Sequence, residues 1–132
     1  MSRFVITPDV AMQLARNRTT VPDHHNLVAP TLLRSQMLAL LYQAARRGEL
    51  DRREAAAQLD FVRSLRIRLL GDRRLQAVAW RVAEQLGSAD TFTAEYVALT
   101  QIQADALVTL DGEVASAARR LVRVAPVGEL LQ

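Results

Sequence analysis

The sequence predicts an α/β protein built on a parallel sheet with helices on both faces, and three observations carry the prediction. Strand-like and helix-like segments alternate along the whole chain, and no hairpin turn signal lies between them. The third is the run Ala106-Leu107-Val108-Thr109-Leu110-Asp111, apolar and partly β-branched, which ends on an acid and passes at once into the Ala-rich, helically spaced segment Gly112 to Arg120. That is the pattern of a buried strand handing over to a helix.

The remaining elements follow in order. Arg3 to Thr7 is apolar and β-favouring, and Thr7-Pro8-Asp9 has the form of a helix start, with Thr7 as cap and Pro8 at the first helical position, for a helix running to about Arg16. His24 and His25 fall in a polar stretch expected to be a loop. Leu27-Val28-Ala29 is a second short strand, broken by Pro30. From Thr31 to Arg47 the residues Leu33, Met37, Leu40, Leu41 and Ala44 recur at helical spacing, and Gly48 is placed to end the helix. Asp51 caps a helix to Val62, Leu65 to Leu70 alternates as a strand, and Gly71-Asp72 leads into a helix from Arg73 to Leu86. Trp80 falls outside that helix's apolar face, a position that suits a core edge or a partner surface. After Gly87 come a turn around Asp90, a helix from Thr93 to about Gln103, the strand ending on Asp111, a helix to Leu121, a strand at Val122 to Ala125 and a tail after Pro126.

Composition narrows the function classes. The 132 residues, half of them apolar, are enough for one core and one domain over 1–132. There is no cysteine, so disulfides and thiolate metal sites are excluded, and the adjacent histidines make a poor zinc site. No apolar run approaches the roughly 20 residues of a membrane span, and the N-terminus lacks the order of a signal peptide, so the expectation is a cytoplasmic protein without membrane contact. The formal charge is +3, and all 17 basic residues are arginine. The pairs Arg46-Arg47, Arg52-Arg53, Arg73-Arg74 and Arg119-Arg120 suit either a nucleic-acid backbone or solvated helix ends.

Two polar residues stand out by position. Asp111 sits at the carboxyl end of a strand in a parallel sheet, where ligands bind, so it is a candidate metal or catalytic ligand; its other reading is a helix cap. Gln36 lies on the apolar stripe of its helix and is expected to face the protein, either simply hydrogen-bonded or lining a site.

The order of elements and several local sequences resemble the PIN domain, in particular the VapC toxins of bacterial toxin–antitoxin pairs. The likeness covers nearly the whole chain and rests on Phe4 to Ala15, on Leu27-Val28-Ala29-Pro30 with the helix behind it, on Ala94-Glu95-Tyr96-Val97-Ala98-Leu99 and on Leu107-Val108-Thr109-Leu110-Asp111. The last two are the most specific. The resemblance implies a three-layer α/β/α fold with a five-stranded parallel sheet in the order 3-2-1-4-5. It also implies four acids at the ends of strands one and four that hold Mg or Mn for RNA cleavage.

This chain departs from that pattern. The family's acid positions fall on Thr7, Gln36, Thr93 and Asp111, with Asp9 close enough to Thr7 to substitute by a local shift. A formal −4 is thereby reduced to −1, or to −2 if Asp9 turns in. Asp90 is expected to be a turn or cap residue, and Glu95 and Glu113 to point away from the site. The leading expectation is therefore a VapC-like protein with a degraded metal site, its nuclease activity weak or lost, that keeps a homodimer contact and an antitoxin-like partner across the cleft. The alternative is an active Mg-dependent endoribonuclease using Asp9 and Asp111 as catalytic and metal-ligating residues. A third reading is a nucleic-acid binder without chemistry.

Overall fold

A computed structural model describes residues 2–132. The strands are β1 (Ser2–Ile6), β2 (His25–Pro30), β3 (Arg68–Leu70), β4 (Ala106–Val108) and β5 (Val124–Ala125), and the helices are α1 (Pro8–Arg16), α2 (Leu32–Arg46), α3 (Arg52–Ser64), α4 (Arg73–Leu86), α5 (Phe92–Gln103) and α6 (Gly112–Ala118). All pairings are parallel and the sheet order is β3-β2-β1-β4-β5, as expected. The chain steps outward from β1 to β3, returns to β4, and steps outward again to β5. Because such crossovers are right-handed, the reversal puts α1 to α3 on one face and α4 to α6 on the other. The packing agrees: α1, α2 and α3 touch one another, and α4 lies on α5.

The three central strands read as continuous apolar runs because both faces are covered. Val5, Ile6, Leu107 and Val108 are wholly buried, and Val97 of α5 and Val10 and Leu14 of α1 close the core from either side. Helix ends are set by short polar groups. Asp51 Oδ1 accepts from Glu54 N at 2.7 Å, Asp72 Oδ1 accepts from Leu75 N at 2.9 Å, and Gly87 closes α4 at φ +66°. An Asp72→Ala variant is expected to lose about 1 kcal/mol of stability in a urea titration with an unchanged slope, since the cap and not the core is removed.

Several sequence expectations are corrected. Pro30 does not break β2; it is its last residue, paired with Leu70 and beyond the last β1 partner at Val28, so its missing N–H removes no bond to β1. His25 opens β2 instead of lying in a loop. The strand expected over Leu65 to Leu70 is only Arg68–Leu70, because Leu65 is the C-cap of α3 and Arg66 takes φ +54° to turn the chain. The β4 ladder stops at Val108, leaving Thr109, Leu110 and Asp111 outside it, and β5 begins two residues later than expected. Helix α6 ends at Ala118, short of Leu121. The tail after Pro126 is a 3-10 helix, Val127–Leu131, anchored by the wholly buried Leu130. Trp80, outside the α4 stripe, is 66% exposed.

Candidate functional site

Parallel strands deliver their carboxyl ends to one edge of the sheet, and reversal of the winding beside β1 opens a crevice between β1 and β4. Thr7 follows β1 directly, Thr109 follows β4, and Asp111 begins α6. Helix α2 brings Gln36 and Leu40, and the first turn of α5 brings Phe92, Thr93 and Tyr96. All of these, with Asp9 and Val114, line one cavity of about 200 Å³. The five residues singled out from the sequence, Thr7, Asp9, Gln36, Thr93 and Asp111, therefore meet in one place.

Hydrogen bonding defines what each can do. The Thr7 backbone N donates to Val108 O at 3.2 Å, extending the β1–β4 contact by one residue. Thr7 occupies the N-cap position of α1, yet its hydroxyl does not cap the helix. It donates to Asp9 Oδ1, which also accepts from Val10 N at 2.8 Å. Asp111 performs the capping expected as one of its two readings. Its Oδ1 accepts from Glu113 N at 2.9 Å and Val114 N at 3.1 Å, while the residue still lines the cavity. Gln36 Oε1 accepts the Tyr96 hydroxyl proton at 2.6 Å, so it is both hydrogen-bonded and site-lining.

Tyr96 is the residue that sequence reading missed. It belongs to the motif Ala94 to Leu99, but an aromatic inside an apolar run reads as core. The available signal was its position three residues after Thr93, on the same helical face. Burial first, and then the carboxylates of Glu95 and Asp9, hold its phenol well above the ordinary tyrosine range. It stays a donor to Gln36 throughout the neutral range. The sign of the linkage follows: the unfolded chain loses this proton first, near pH 10, so the stability contribution is complete below that pH and is lost as pH rises towards the folded value. The chain has no lysine or cysteine and only two tyrosines. With the exposed Tyr42 replaced by Phe, tyrosinate absorbance is expected to stay absent in the folded protein at pH 11 and to emerge only with unfolding.

The other acids lie where expected. Asp90 accepts from Phe92 N at 3.1 Å at the start of α5, and Glu95 and Glu113 do not line the cavity. Burial alone raises the Glu95 carboxyl. The four arginine pairs are exposed, at or beside helix ends; Arg47 bonds Glu49 at 2.7 Å, and no arginine is among the described residues that line the cavity.

As a cation site the donor set falls short. Among the described residues there is no group of three or more His, Cys, Asp or Glu side chains able to hold a metal. The cavity carries two carboxylates, each with Oδ1 already accepting two hydrogen bonds, and the Gln36 carbonyl oxygen is taken by Tyr96. Residues with this arrangement do not by themselves fit a resident Mg or Mn ion, which needs several oxygens free to ligate. No helix among the described residues is long and apolar enough to cross a membrane.

Comparison with solved structures finds a likeness to the crystal structure of PAE2754 from Pyrobaculum aerophilum. The identity is 22%, the match covers 98% of this chain and 94% of that one, and the TM-score is 0.77. The likeness establishes the fold. No protein-family model matches the chain, and no curated protein matches it in sequence. The three-layer architecture and the strand order therefore stand on the coordinates and on this neighbour, and function has to be argued from the cavity.

Proposed function

We propose that this chain is a PIN-domain protein of VapC-like kind whose metal site is depleted, so that nuclease activity is weak or lost and the cleft serves protein contact. One observation carries the reading: the positions at which the family's acids fall converge in one cavity, and only Asp9 and Asp111 bring carboxylates to it. Three support it. Gln36 is satisfied by Tyr96 and not left open for a ligand. Each aspartate is partly engaged in holding a helix start. Phe92, 51% exposed, adds apolar surface at the cavity of the kind partner proteins cover. The partners are an antitoxin-like protein across the cleft and a second copy of this chain, in the cytoplasm. Calorimetric titration with Mg and Mn, and incubation with structured RNAs, are expected to give binding no tighter than millimolar and no cleavage. Micromolar binding together with cleavage abolished by Asp111→Asn would end the proposal.

A specific observation favours a second reading, an Mg-dependent endoribonuclease using Asp9 and Asp111. Asp9 lines the same cavity as Asp111, and the two together bring a formal −2 where the strict alignment gives −1. Two carboxylates can share a cation with substrate phosphate, which would supply the missing oxygens. Growth arrest on expression, relieved by Asp9→Ala, is the result that selects this reading over the first.

A further inference from the structure

A second, wider concavity lies at the opposite edge of the sheet. Here the amino ends of β1, β2 and β3 converge, and Arg3, His25 and Arg68 stand at or near the starts of their strands with Arg66 in the turn before β3. The cleft measures about 840 Å³, within the range of roughly 300–1,000 Å³ typical of small-molecule sites. Three guanidinium groups line it against one carboxylate, Asp23. Arg66 and Arg68 belong to no salt bridge among the described residues, whereas Arg18, Arg47, Arg63 and Arg123 each have an acidic partner.

His25 opens β2 at this edge, but its ring packs edge-on against Phe4 at 5.1 Å and both ring nitrogens are shielded from solvent, so it belongs to the wall of the cleft and not to its open face. The backbone gives a second observation. Arg66 is one of only two non-glycine residues at positive φ among those described, a conformation that costs about 1 kcal/mol and that collects at ligand sites. Val21, Pro22 and Leu65 supply an apolar wall beside the charges.

We propose that this cleft binds a small organic phosphate, a phosphomonoester whose dianion is held by the guanidinium groups of Arg66 and Arg68, unpaired among the described residues, with Arg3, one of whose donors already bonds Gln103 O at 3.1 Å, adding positive charge beside them, and whose organic body lies on the apolar wall. Guanidinium forks match phosphate oxygens in geometry as well as charge. A bounded cleft with an apolar side suits one such molecule better than a nucleic-acid strand, which needs a continuous track of cations. The proposal does not depend on the reading of the cavity at the other edge of the sheet.

The test is a titration of the full chain at low salt, followed by calorimetry and by amide chemical shifts, with adenosine monophosphate, inorganic phosphate and a short RNA carrying hydroxyl ends. Adenosine monophosphate is expected to saturate, to bind more tightly than phosphate alone and to shift the amides of Asn26, Arg66 and Arg68. Arg66→Gln/Arg68→Gln, both exposed and so neutral to folding, is expected to weaken it at least about tenfold with the melting temperature unchanged. Asp111→Asn is expected to leave it unaffected. Absence of saturation at millimolar monophosphate, undiminished binding by the double variant, or shifts confined to the cavity around Asp111 would each overturn the proposal. Equal binding of the RNA at these residues would overturn it in favour of a nucleic-acid backbone.

Discussion

A Gln36→Glu/Thr93→Asp variant is expected to bind Mn(II) more tightly than the parent chain by well over a factor of ten, measured by calorimetry. Both positions line the cavity with Asp9 and Asp111, so the change raises the formal charge there from −2 to −4. At an effective dielectric of about 20, each added carboxylate 4 Å from the ion is worth roughly 4 kcal/mol per unit of cation charge before desolvation and mutual repulsion offset most of it. A tenfold gain needs only about 1.4 kcal/mol of the remainder. The scaffold is suited to both changes. A glutamate at 36 can still accept the Tyr96 proton that Gln36 accepts now at 2.6 Å, and an aspartate at 93 lies in the first turn of α5, where the helix dipole favours negative charge. Without metal the four carboxylates repel, so the variant should melt below the parent and recover as Mn(II) is added. Equal affinities for variant and parent would mean that these side chains do not share one cavity.

How far the sequence reveals this arrangement depends on what fixes each element. The limits of α1 and α4 match expectation because single residues set them: Pro8 starts one, and Asp72 and Gly87 bracket the other. β3 and β4 are shorter than their apolar runs, and apolar alternation does not distinguish a strand from a helix exit followed by a turn. Leu65 closes α3, Arg66 swings through positive φ, and Leu110 is 45% exposed although Ala106, Leu107 and Val108 just before it are buried. At the site, Asp111 was legible because strand, acid and helix follow one another directly, and Gln36 because a polar residue interrupted an apolar stripe. Its pairing with Tyr96 spans 60 residues of sequence and exists only once α2 and α5, on opposite faces of the sheet, reach each other over its carboxyl edge. The amino-end cleft was hidden for the same reason, since nothing local places Arg3, His25 and Arg66 together.

Leu107→Ala is expected to be the most damaging single change in stability, about 3 kcal/mol by urea denaturation, a large part of the roughly 5–15 kcal/mol available to a domain of this size. Leu107 is 0% exposed and is bracketed in register by Val5 of β1 and Val124 of β5, so removing its side chain leaves a void walled by strands on two sides that cannot close over it. β4 is only three residues long, and it carries Thr109 and Asp111 to the cavity. Loosening it should therefore also reduce whatever cation affinity the site retains. Leu110→Ala is the matched comparison: the same chemistry three residues on, at a half-exposed side chain beyond the end of the ladder, should cost about 0.5 kcal/mol or less. Similar losses in the two variants would mean that the strand continues to Leu110 and that Asp111 closes a strand. A large loss at Leu107 alone places the end of β4 at Val108 and leaves Asp111 on a turn whose geometry is fixed by its two hydrogen bonds to the start of α6.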